Sequence, residues 1–253
     1  MAKNFEELII KNRDFLKDSI RKSVDFSKTG QNNGISPPPI QKPYPSDADL
    51  IDLVVKDDWE NMFNIPLARA VKNRVSHRNY SEDPISLEEL SFLLWATQGV
   101  RLVEGNNTYR NVPSAGCRHS METYLAVFNV DELECGVYRY LPLSHQLILE
   151  FKDNELREKL INATFRQEFA GHSALTFIWT TIPNRMEWRY GPVSHKVIAM
   201  DAGHAAQNLY LACEAINSGT CAIAAYNQEY VDELLGLDGV DEFVIYLAPV
   251  GKI

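Results

Sequence analysis

The chain has 253 residues, 45% of them hydrophobic and 23% charged, with a net charge of −9. That profile fits a globular protein of one large domain or two small ones. An acidic balance argues against general nucleic-acid binding, which needs a basic footprint, although a local arginine cluster can still hold an anionic cofactor.

Residues 4–26 are predicted to form an amphipathic helix, because Phe5, Leu8, Ile9, Phe15, Leu16, Ile20 and Val24 recur at helical spacing. Periodicity is lost over 27–48. The proline-rich run 36–45 must be extended, since each proline disfavours the helical conformation of the residue before it. Residues 1–48 therefore read as a helix and surface-hugging arm that dock on the main body or on a second subunit, ahead of a domain over 49–253. Within that domain, a short helix and basic turn are expected over 66–79. Ser86 and Glu89 form a capping box that opens a helix closed by Gly99. Strands are expected at 124–130, 136–141, 146–151, 174–181 and 243–250, with a long helix over 194–217 whose small residues allow close packing. This order is a one-domain α+β pattern.

No stretch approaches the roughly 18–20 apolar residues that span a bilayer. Acidic residues precede any apolar run at the N-terminus, unlike an export signal. Cys117, Cys135, Cys213 and Cys221 include no CxxC pair and read as reduced thiols. A cytoplasmic protein without a metal site is expected, contacting neither membrane nor nucleic acid. Neither GxGxxG nor a P-loop is visible.

Three short motifs carry chemistry. Arg74, Ser76 and Arg78 put two guanidiniums and a hydroxyl within five residues, a donor set that matches phosphate oxygens. Pro113, Ser114, Ala115 and Gly116 form a turn that exposes backbone N–H groups and leaves room for a flat ligand. Ser218, Gly219 and Thr220 follow the long helix. Each has an ordinary reading as well: a solvated basic turn, a common turn, a helix end.

Taken in this order and spacing over about 66–252, these motifs resemble the nitroreductase-like flavoproteins. So do Ile85–Gly99, Gly136–Tyr140 and Asp201–Tyr210. The likeness is closest to the branch of thiazoline and oxazoline dehydrogenases. It implies a nitroreductase-like α+β fold: a central, mostly antiparallel sheet flanked by helices, in an intertwined homodimer with FMN in clefts between the subunits. It also implies that Arg74, Ser76 and Arg78 hold the FMN phosphate and ribityl chain. Pro113 to Gly116, from the other subunit, would line the flavin ring. Ser218, Gly219 and Thr220 would cover its other side, and Lys252 would add to phosphate binding. The expected function is two-electron hydride transfer at flavin N5 to or from a small molecule, with NADH or NADPH as donor. The alternative is a flavin- or nucleotide-binding protein without turnover. One departure stands out. The branch carries a Lys-Tyr pair before the long helix, whereas this chain has Arg189 and Tyr190, the candidate catalytic pair. Arginine stays protonated and is a poor general base, which argues against azoline oxidation.

Overall fold

Residues 2–56 and 58–253 are described in the computed structural model. Their elements run α1 (Ala2–Leu16), β1 (Leu50–Asp52), α2 (Trp59–Met62), α3 (Leu67–Asn73), α4 (Leu87–Gln98), β2 (Val100–Glu104) and β3 (Asn107–Arg110). There follow β4 (Met121–Val127), β5 (Gly136–Leu141), β6 (Gln146–Lys152), α5 (Leu156–Ala163), β7 (Leu175–Thr181) and α6 (Asn184–Tyr190). The chain ends with α7 (Ser194–Ala215), β8 (Ser218–Thr220), α8 (Gln228–Leu234) and β9 (Phe243–Lys252). Among the described residues, no helix is long and apolar enough to cross a membrane.

The main sheet has seven strands in the order β1-β6-β5-β4-β7-β9-β8, and every pairing is antiparallel. Successive side chains of a strand point to opposite faces. On β4 and β7, Leu125, Val127, Phe177 and Trp179 face α4 and α7, whereas Tyr124, Ala126 and Ile178 face α5 and α8. With both faces covered, these central strands read as continuous apolar runs rather than as alternation. Each such fully buried side chain contributes roughly 1.5–3 kcal/mol.

On α7, Ala202, Ala205 and Ala206 are buried in the same cluster as Leu90, Leu93 and Leu94 of α4. Short side chains let the two helices approach closely. Asn208 Nδ2 then donates to the Ala96 carbonyl at 2.9 Å, supplying one of the open carbonyls at the end of α4. The opposite side of α7, with Met200, Gly203, His204 and Gln207, is exposed. So are Leu67 and Val71 of α3.

The expected helix over 4–26 stops at Leu16 and gives way to 3-10 turns at Ser19–Ser23 and Phe26–Lys28. Asp25 Oδ1 accepts from Ser27 N at 3.1 Å, so this side chain caps a new turn instead of continuing the old helix. The apolar face of α1 stays exposed at Phe5, Leu8, Phe15 and Leu16. The long helix ends at Ala215, and Asn217 has a left-handed φ of 51°. Residues 100–110 form the β2–β3 hairpin, which turns through Gly105 at a φ of +55°. The first central strand begins three residues earlier than expected, at Met121.

The proline-rich stretch docks on its own chain. Arg110 Nη2 donates to Ile40 O at 3.2 Å, and Arg139 donates to Lys42 O and Pro43 O at 3.1 and 3.2 Å. Lys42 N donates to Glu122 Oε1 at 2.8 Å. Farther up the arm, Trp188 Nε1 donates to Ile35 O at 2.8 Å, and Gln31 N donates to Trp188 O at 2.9 Å. An extended, proline-rich backbone cannot pair with itself, so side chains of the main body satisfy its carbonyls.

Candidate active site

The segment after α3 runs extended along the sheet edge beyond β8. Ser76 forms a parallel bridge with Thr220, and His77 N donates to Thr220 O at 3.0 Å. Two glycines permit this approach. A Cβ on Gly219 would lie 2.6 Å from His77 Cβ, and one on Gly251 would lie 2.8 Å from Tyr80 Cβ. Gly219 is thus occupied with strand packing, inside a short strand rather than a turn.

Tyr210, near the end of α7, organises the segment. Its hydroxyl lies 3.0 Å from Ser76 Oγ and accepts from Ala222 N at 2.9 Å. The Arg74 guanidinium sits 5.3 Å from its ring centroid, and that of Arg78 sits 5.7 Å from the Phe169 ring. These are cation–π contacts. Neither arginine has a carboxylate partner among the described residues. Thr220 Oγ1 is buried without a hydrogen-bond partner. Two unneutralised guanidiniums, a hydroxyl and a spare buried hydroxyl fit a phosphate and a polyol chain by their chemistry. Lys252 belongs to another arrangement. Its ammonium donates to the Glu89 carboxylate and, at 2.9 Å, to Ile216 O, so it ties the start of α4 to the end of α7.

The Pro113–Gly116 turn meets a different part of α7. Ala115 N donates to Asp201 Oδ2 at 3.3 Å, and His119 N donates to Ser114 Oγ at 3.0 Å. Burial holds the Asp201 carboxyl above the usual carboxylate range, against the hydrogen bonds from Ser114 and Ala115. Gly116 has a φ of +59°, and a Cβ there would lie 2.5 Å from Tyr190 Oη and 3.0 Å from Arg189 Cδ. Arg189 and Tyr190, at the end of α6, therefore pack directly on the turn. The Arg189 guanidinium stands 5.6 Å from the Tyr190 ring centroid.

The chain thus gathers the expected residues into two groups. Arg74 and Ser76 stand at Tyr210 beside Ser218–Thr220, with Arg78 on Phe169, and the Pro113–Gly116 turn stands between Asp201 on one side and Arg189 and Tyr190 on the other. Nine residues of helix, about 14 Å, separate the two anchors. The sequence assigns no role to Tyr210 or Asp201, because both lie inside a long helix marked by its small residues. Their nine-residue spacing does not even place them on one face.

A model of the nitroreductase family matches residues 71–252. The nitroreductase-family protein MJ1384 of Methanocaldococcus jannaschii is 32% identical over 188 residues, 74% of this chain and 91% of that one. The trifolitoxin-processing protein TfxB of Rhizobium leguminosarum is 28% identical over 138 residues, 53% of this chain and 37% of that one. A crystal structure of a nitroreductase-like protein of Ralstonia eutropha superposes with a TM-score of 0.68 at 27% identity, covering 86% of this chain and 94% of that one. NADPH:FMN oxidoreductase of Vibrio harveyi superposes with a TM-score of 0.52 at 18% identity, over 74% of this chain and 68% of that one, which is a likeness of fold alone.

Proposed function

The chain belongs to the nitroreductase family of flavin-dependent oxidoreductases, and on that premise we propose that two copies of it hold FMN between them and pass hydride from NADH or NADPH to a small organic molecule. The observation that carries this reading is the Arg74, Ser76, Arg78 group. Its two guanidiniums lack any carboxylate among the described residues. Beside it, Thr220 Oγ1 is buried without a partner.

FMN, when bound, would supply the two-electron chemistry. The work of the chain is to bind, orient and exclude water. Arg74 and Arg78 donate charge-assisted hydrogen bonds to the phosphate, and the Ser76 hydroxyl donates beside them. Ser218, Gly219 and Thr220 would face the flavin from one side with backbone that the strand pairing holds rigid. Pro113, Ser114, Ala115 and Gly116 of the second copy line the other side. The separation of the two groups along α7 supports this division of labour, since neither group makes a whole site alone. Arg189 orients the substrate, and the Tyr190 hydroxyl stands nearest to the turn. Residues 1–48 act as an arm that braces Trp188, ahead of the FMN-binding domain at 49–253.

Steady-state oxidation of NADH and NADPH by the FMN-loaded chain, with a quinone or a nitroaromatic as acceptor, tests the proposal. Acceptor-dependent turnover with either nucleotide is expected. FMN uptake without turnover on any acceptor would instead establish a flavin-binding protein.

A further inference from the structure

Behind the Pro113–Gly116 turn lies an excess of positive charge, of which the mechanism above uses Arg189 alone. Arg110, Arg118 and Arg185 are buried there, and Arg189 is half-buried beside them. Arg185 Nη2 pairs with Glu122 Oε1 at 2.5 Å, and Arg110 Nη1 finds only the neutral Gln98 Oε1 at 2.9 Å. Arg118 donates to the Arg185 carbonyl at 3.3 Å and to Asn106 O and Asn107 Oδ1 at 3.4 and 3.2 Å, all neutral acceptors. Its Nη2 is buried with no partner. Its guanidinium lies 4.9 Å from the Trp188 centroid, on the ring that residues 31–35 of the arm hold in place. Arg189 has no carboxylate partner among the described residues.

Four guanidiniums therefore share one carboxylate, in a chain whose overall charge is −9. Buried cations are costly unless paired. Burial first, and then repulsion from Arg189 and Arg185, pulls Arg118 below its ordinary range. A chain with 34 acidic residues had ample means to neutralise this cluster. An anion supplied from outside would do so.

We propose that Arg189 and the Tyr190 hydroxyl, backed by the buried charge of Arg118, form an anion-binding subsite beside the Pro113–Gly116 turn, and that the molecule oxidised or reduced there carries a carboxylate. The planar guanidinium of Arg189 and the adjacent phenol together match the planar fork of a carboxylate. The subsite deepens the flavin reading and rests on it only for the nearness of the reacting centre.

Calorimetry with benzoate and benzyl alcohol tests the proposal on the full chain, before and after FMN loading. The two probes share a phenyl ring, and only benzoate carries the charged carboxylate. Benzoate is expected to bind at least tenfold more tightly than benzyl alcohol, and Arg189→Met is expected to weaken benzoate at least tenfold. The FMN content and urea midpoint of the variant report its folding. Equal binding of the two probes by the unaltered chain, which needs no variant, would overturn the proposal. So would benzoate binding that survives Arg189→Met. A loss on Arg189→Met confined to NADH or NADPH would assign the anion to the nucleotide phosphates and overturn it too. Failure to take up FMN would count against the flavin reading, while the benzoate arm would still decide the subsite.

Discussion

On the proposed reading, cofactor retention turns on Arg74. Arg74→Ala removes a charge-assisted phosphate contact worth roughly 1.5–3 kcal/mol, so a flavin titration should show FMN affinity falling about 10- to 150-fold. Gly116 is needed for a different reason. Its φ of +59° suits glycine, and an added Cβ would meet Tyr190 Oη at 2.5 Å. Gly116→Ala should therefore cost about 1–3 kcal/mol in urea unfolding, with Tyr190 and Arg189 displaced. His119 supplies a pH signature. Burial first, and then the charges of Arg110, Arg118 and Arg185, holds its pKa down at about 3, against 6.5 when free. Between those values the unfolded chain binds the proton and the folded chain does not. Its contribution to stability is thus complete above pH 6.5 and falls as the pH drops towards 3, by up to about 1.4 kcal/mol per unit. Urea midpoints from pH 7 to pH 4.5 should decline less steeply for His119→Asn than for the unaltered chain. The arginine motif and the Pro-Ser-Ala-Gly turn were legible in the sequence because they are local. The clustering of Arg110, Arg118 and Arg185 was not, because three separate elements bring them together.

At the scale of elements, α4 shows how far local chemistry reaches. Ser86 Oγ accepts from Glu89 N at 3.1 Å, and Glu89 Oε2 accepts from Ser86 N at 3.0 Å, as the capping box predicts. Ser86→Ala should lower unfolding free energy by about 1 kcal/mol, measured by urea denaturation, and leave FMN uptake intact. The strand Gly136–Leu141 was legible to the residue, since it is bounded by a glycine and a turn. The helices α5, α6 and α8, of eight, seven and seven residues, were missed. Two turns offer too little periodicity to separate a helix from a loop, and packing decides their form. The overreach of the first helix has the opposite cause. Its apolar spacing continues to Val24, but the chain leaves the helix at Leu16 and goes on in separate 3-10 turns at Ser19–Ser23 and Phe26–Lys28.

Over the whole molecule, the exposed faces and the divided site belong together. Met200, Leu67 and Val71 are exposed by 55, 69 and 57%, and Phe5 by 66%, apolar area that a second copy would cover. Light scattering of the FMN-loaded protein should give twice the mass of one chain. A single-chain mass would remove the basis for sharing the site between copies. Fold class was legible because the order of helices and strands is a global pattern. The division of the site was not legible from the motifs alone, since their spacing along the chain says nothing of the two ends of α7 on which they settle.

The most direct test is an absorption spectrum of the purified chain after incubation with FMN, followed by anaerobic addition of NADH and of NADPH. Flavin bands that stay with the protein through gel filtration and bleach with one of the nucleotides are predicted. A protein that emerges colourless, with all FMN left in the small-molecule fraction, would contradict the assignment of this site to flavin chemistry.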